Sequence, residues 1–158
     1  MRLAMIAIVA SAIPAHAGGV GTIAGAVGVT RPPGVEPGPI LIYVVGFTEP
    51  ATEGKLEIRQ HGKRFIPDLV GVTASQAIAF PNGDPFLHNV FSPTETRRFD
   101  LGSFETGEAR SRIFPEPGVI DVYCNIHPEL SATGVVLPNR HHLIAKPDGT
   151  FPLDAVPP

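Results

Sequence analysis

Proline and glycine interrupt this chain along nearly its whole length, with 18 Pro and 17 Gly among 158 residues. Proline lacks the donor a helix interior needs and glycine costs helix stability, so a bundle of long helices is excluded. No segment holds a 3.6-residue apolar period over three turns, and neither heptads nor a G-X-Y repeat occurs. The breakers leave short apolar runs at 56–59, 69–74, 76–80, 88–91, 97–101, 112–114, 119–124 and 133–137. Turn signals separate them, notably Pro81-Asn82-Gly83-Asp84-Pro85 and Glu116-Pro117-Gly118. Short strands at this spacing predict an all-β fold, a Greek-key sandwich or barrel. Further strands are expected at 21–29 and 40–45, on either side of a Pro/Gly-rich loop, with a weak one around Phe151 and Leu153.

Residues 1–17, MRLAMIAIVASAIPAHA, carry one basic residue, Arg2, then an apolar run at 3–10 and a small-x-small end at Ala15-His16-Ala17. This pattern predicts a secretory signal peptide cleaved after Ala17, and a periplasmic or extracellular location for the remainder. The run is far below the roughly 20 residues a membrane-spanning helix needs. No twin Arg precedes it and no Cys follows it, which favours general secretion over the twin-arginine and lipoprotein routes. Four segments are therefore expected: the leader at 1–17, an N-terminal β segment and linker at 18–54, a main domain at 55–138 and a tail at 139–158.

Cleavage after Ala17 removes Met1 and Met5, so the mature chain has no Met, and it leaves five His and a single Cys, Cys124. A lone thiol in an oxidising compartment is a liability unless it is buried or bonded to something. Net charge is only −3 and the Lys and Arg are scattered, which leaves no electrostatic footprint for nucleic acid or an anionic membrane.

Two stretches carry the chemistry, FPNGDPFLHNVFSP at 80–93 and VYCNIHPEL at 122–130. In the strand at 119–124, Ile120, Val122 and Cys124 share one face, opposite Val119, Asp121 and Tyr123, so the thiol is expected to point inward. His127 follows three residues on, past a turn begun by Asn125, and His88 comes from another strand. Thiolate sulfur and imidazole nitrogen suit copper in both oxidation states, and a His2Cys set with a weak axial partner defines blue-copper sites.

These stretches resemble the cupredoxins, the small blue copper proteins such as plastocyanin and amicyanin, and most closely their secreted methylamine-utilisation-type relatives. The likeness runs over about 55–138, through Ile58-Arg59-Gln60, Arg64-Phe65-Ile66-Pro67, Phe80-Pro81-Asn82, His88-Asn89-Val90-Phe91-Ser92, Tyr123-Cys124-Asn125-Ile126-His127-Pro128-Glu129 and Gly134-Val135-Val136. The resemblance implies one type 1 copper held by His88, Cys124 and His127, with Asn89 tying the two ligand loops together by hydrogen bonds. It implies single-electron transfer, with no enzymatic activity, by a monomer between redox partners of cytochrome or dehydrogenase type. His127 would then sit near the surface, with Pro85, Phe86, Pro128 and Leu130 as an apolar docking rim.

There is one departure. Relatives of the amicyanin kind carry their axial Met three residues after the second His, and here that position is Leu130. The Leu87 carbonyl is the other weak axial candidate. Outside the main likeness, 21–29, 40–45 and 148–158 resemble pieces of a transthyretin-like unit, cut short at Val156-Pro157-Pro158.

Other functions are weighed against the same residues. Cys and His also form the nucleophile and base of cysteine hydrolases, yet Cys124 has no helix N-terminus beside it and no evident oxyanion donor. Multicopper oxidases and nitrite reductases would need His beside the Cys, whereas Tyr123 and Asn125 flank it. Copper storage or delivery would use the same three ligands and stays open. His61, His141 and His142 are expected to be solvated, as are Arg97, Arg98, Arg110 and Arg112, while Phe65, Phe80, Phe91 and Phe99 are expected in the core.

Overall fold

The computed structural model describes residues 6–12, 19–30, 32–35 and 38–157, the first of these spans by its backbone alone. In chain order the strands are β1 (Ile6–Ala12), β2 (Gly21–Val29), β3 (Leu41–Tyr43), β4 (Lys55–Glu57), β5 (Arg59–Gln60), β6 (Phe65–Ile66), β7 (Leu69–Thr73) and β8 (Ala77–Pro81). They continue as β9 (His88–Ser92), β10 (Phe99–Phe104), β11 (Ala109–Ile113), β12 (Gly118–Tyr123), β13 (Ser131–Leu137), β14 (His142–Ile144) and β15 (Thr150–Val156). The fold is all-β: one 3-10 turn at Glu95–Arg97 is the sole helical element among the described residues. None of them forms a helix long and apolar enough to cross a membrane.

The chain divides into two compact units, one spanning 45–140 and the other combining 1–44 with 141–158. In the second unit β2 is flanked by β1 and β15, both antiparallel, and β3 pairs with β14. Residues 6–12, read above as part of a leader, pair here as a strand from Ile6↔Val29 to Ala12↔Ile23. Arg2 and the cleavage motif Ala15-His16-Ala17 lie outside the described residues. His141 differs from expectation, being buried at 6% exposure.

The 45–140 unit holds a five-stranded sheet in the order β10-β9-β12-β13-β7 and a three-stranded sheet, β11-β8-β4. Most neighbours are antiparallel, but β13 with β7 and β4 with β8 run parallel. The short hairpin β5–β6 attaches through a bridge between Gln60 and Asn82. Strand alternation sets what is buried: Ile120, Val122 and Cys124 are 0, 2 and 3% exposed while Val119 is 51% exposed. Side chains such as Phe80, Phe104 and Ile120 are fully buried, each stabilising the fold by about 1.5–3 kcal/mol. Phe80 on β8 meets Phe99 on β10 with ring centroids 6.5 Å apart, so the two sheets share one core.

One expectation about this core is corrected. Phe91 is only half-buried and lies 6.0 Å from the ring of Tyr123, because it occupies the outward phase of β9 between Val90 and Ser92. The arginines of β11 are exposed without being free of the core: Arg110 lies over the Phe104 ring and Arg112 over Phe99. Their stems cover apolar edges while the charged heads stay wet. Gln60, two residues from Ile58, is fully buried and neither polar atom of its amide has a hydrogen-bond partner.

Candidate metal centre

Strand ends bring the chemistry together. His88 opens β9, Cys124 directly follows β12, and His127 lies in the turn leading to β13. Strands β9 and β12 are neighbours, with Tyr123 opposite Phe91, so the end of β12 delivers Cys124 beside the start of β9. Cys124 Sγ lies 3.8 Å from His88 Nδ1, and His127 Nδ1 lies 3.1 Å from the same nitrogen. One donor atom from each of the three residues falls within 4.8 Å of the others. His88 is wholly buried, Cys124 nearly so and His127 half-buried.

The supports are local. Leu130 N–H donates to the His127 carbonyl at 3.0 Å and closes the ligand turn. Asn89, 2% exposed, accepts the Asn125 N–H on its Oδ1 at 2.7 Å, linking the start of β9 to the Cys124–His127 turn. Behind His88 stands Asp84, whose Oδ2 lies 2.9 Å from His88 Nε2. Burial opposes ionisation of this carboxyl. The Lys63 N–H, the His88 imidazole and the Gly62 N–H outweigh that cost and hold its pKa below the ordinary carboxylate value.

Two imidazole nitrogens 3.1 Å apart cannot both present lone pairs to one another without a proton or a cation between them. One sulfur and two nitrogens converging in a mostly buried pocket match the donor set that copper favours, and among the described residues the carboxylate oxygens that magnesium or calcium would want do not converge there. The residues present therefore fit copper.

No protein-family model and no curated protein matches the chain. Solved structures do. The reduced form of an amicyanin point mutant is similar at TM-score 0.51 and 19% identity, over 54% of this chain and 85% of that chain. An oxidised amicyanin point mutant is similar to the same extent, again at TM-score 0.51 and 19% identity with the same coverage. The fold is that of the cupredoxins. A copper-containing nitrite reductase (NirK) from Thermus scotoductus SA-01 matches at TM-score 0.51 and 19% identity, over 61% of this chain but only 25% of that one.

Within this cupredoxin fold the five residues singled out in the sequence take distinct places. His88, Cys124 and His127 converge, and Asn89 links the start of β9 to the turn after Cys124. Leu130 is fully buried and packs in the same core cluster as Cys124. It cannot belong to a docking rim, because its backbone N–H is turned to His127 and its side chain to the core. The apolar residues at the surface are instead Leu87 and Ile126, 47 and 43% exposed, beside Pro85 and Pro128.

Contacts of three residues were not foreseen from the sequence. Phe86, expected only in the rim, places its ring 5.2 Å from that of His88 and 5.0 Å from that of His127. Asp84 was read as part of a turn, and nothing in Asn-Gly-Asp-Pro announces that its side chain turns back to an imidazole four residues on. His61 is exposed as expected, yet its Nδ1 lies 3.8 Å from Asp84 Oδ1.

Proposed function

We propose that this cupredoxin unit holds one type 1 copper through His88 Nδ1, Cys124 Sγ and His127 Nδ1, and that it carries single electrons between partner proteins. The observation that carries this reading is the convergence of those three donor atoms within 4.8 Å at strand ends. When bound, copper supplies a one-electron couple at a soft, thiolate-rich site.

The chain's own residues do the rest. Strands β9 and β12 hold two of the ligands on rigid elements, and the hydrogen bonds of Asn89 and Leu130 fix the third, so little has to move when the charge changes. Leu130, fully buried in the cluster that holds Cys124, would exclude water from the metal and offer it no donor atom. The Leu87 carbonyl, just before His88, would be a further weak donor. The half-buried imidazole of His127, among Pro85, Phe86, Leu87, Ile126 and Pro128, supplies a small apolar surface suited to brief encounters that bury little area. The partners are redox proteins of cytochrome or dehydrogenase type, the unit is a monomer without enzymatic activity, and the 1–17 leader directs it to the periplasm or beyond.

The test is copper titration followed by voltammetry and a chelator challenge. An electron carrier binds one copper with an intense visible band, gives a reversible one-electron wave and yields its metal slowly. A colourless cuprous protein that surrenders copper at once to the chelator would replace this reading with copper delivery.

A further inference from the structure

The connection between β5 and β6 spans residues 61–64, and its two central residues, Gly62 and Lys63, have positive φ, at 61° and 56°. Paired hydrogen bonds between His61 and Arg64 close it, as in the type I′ turns that connect hairpins. A left-handed Lys is disfavoured, since its Cβ crowds the backbone. The turn nevertheless aims two successive N–H groups at one carboxylate: Gly62 N–H donates to Asp84 Oδ1 at 2.6 Å and Lys63 N–H to Oδ2 at 2.9 Å. The backbone of Asp84 is held as firmly. Its N–H donates to Asn82 Oδ1 at 2.9 Å and its carbonyl accepts the Thr106 hydroxyl at 2.6 Å. This buried side chain then meets His88 Nε2 at 2.9 Å through Oδ2, while Oδ1 faces the exposed His61 imidazole, whose Nδ1 is 3.8 Å away.

We propose that Asp84 is the positioning residue of the metal centre, fixing the tautomer of His88 and biasing the bound metal toward its oxidised state. Both oxygens of Asp84 accept backbone N–H groups, so the side chain acts as an acceptor and the hydrogen in this contact is assigned to His88 Nε2. A neutral imidazole has one N–H, which leaves Nδ1, the atom facing Cys124 and His127, with its lone pair free for a metal. No Lys or Arg side chain pairs with Asp84 among the described residues. The Lys63 Nζ, from the same turn, lies over the Phe86 ring. A negative charge behind a ligand, with no Lys or Arg side chain paired to it, favours Cu(II) over Cu(I).

The second half of this inference rests on the copper reading above; the first half does not, and two measurements separate them. In nitrogen-15 spectra of the metal-free wild type, His88 is expected in the Nε2–H tautomer, and the Nδ1–H tautomer there would overturn the proposal. In copper-loaded Asp84→Asn, the preference for Cu(II) over Cu(I) is expected to fall about tenfold, which is about 59 mV upward in potential. A folded Asp84→Asn protein that melts earlier but keeps the wild-type potential would make Asp84 a loop clip and overturn the bias. Should the wild type form no blue centre, the copper reading fails while the tautomer spectrum still decides the positioning role.

Discussion

The side-chain oxygen of Asn89 lies 2.7 Å from the backbone nitrogen of Asn125 and accepts its N–H, joining two loops 36 residues apart. Asn125 stands between Cys124 and His127, so this bond sets where both sit relative to His88. Asn89→Ala is expected to lower the stability of the metal-free protein by about 1 kcal/mol, the usual net value of such a bond. Copper affinity should fall by about 10- to 100-fold, as for other partners that orient ligands. Urea denaturation and a chelator competition titration check the two effects separately.

Leu130 is buried against the same cluster as Cys124. Leu and Met have similar volumes, so Leu130→Met should fold with a penalty below about 1.5 kcal/mol. A thioether steadies Cu(II) more than Cu(I), and the variant's potential should therefore drop, by about 59 mV for each tenfold change in that preference. Voltammetry of both proteins in one buffer measures it. An equal or higher potential in the variant would mean that residue 130 does not face the metal.

Gln60 offers a test of packing away from the ligands. Its amide is buried and unpartnered, and such a group costs about 1–3 kcal/mol. Gln60→Leu keeps the bulk and removes the cost, so thermal unfolding of the metal-free protein should move upward. A marked fall would show that the amide has a partner in solution.

His142, opposite Tyr43 in the β3–β14 pair, has its pKa lowered first by burial and then by the nearby charge of His141. The folded pKa is below the unfolded one, so the unfolded chain binds more protons between the two values. Stability of this unit is thus full above about pH 7, the upper end of ordinary histidine titration, and falls as pH drops toward the folded pKa. Below that value no further loss comes from this group. His142→Gln should flatten the slope, read from Tyr43 resonances during thermal melts at several pH values.

How much could be read in advance depended on how local each feature is. Cys124 and His127 sit in one turn, His88 and Asn89 are adjacent, and alternation along 119–124 turned the thiol inward; each is a matter of a few neighbouring residues. Strand pairing is not local. The parallel neighbours β13 with β7 and β4 with β8 join segments whose runs of apolar residues carry no mark of a partner. Asp84 looked like turn chemistry because its role depends on the distant Gly62–Lys63 turn, where Gly-Lys stands in place of the usual Asn-Gly. His141 follows Asn139 and Arg140, a polar context that hid its burial. Hydropathy at 1–17 likewise fits a leader, while 6–12 also pairs as a strand, since a short apolar run serves either.

The central claim is that Cys124, with His88 and His127, binds copper as a thiolate. The most direct measurement is the visible spectrum and metal content of the copper-loaded protein beside its Cys124→Ser variant. One copper and an intense charge-transfer band are expected in the wild type, and no such band in the variant, because a serine hydroxyl oxygen is neither the soft ligand nor the charge-transfer donor. A variant that keeps the band would contradict the assignment.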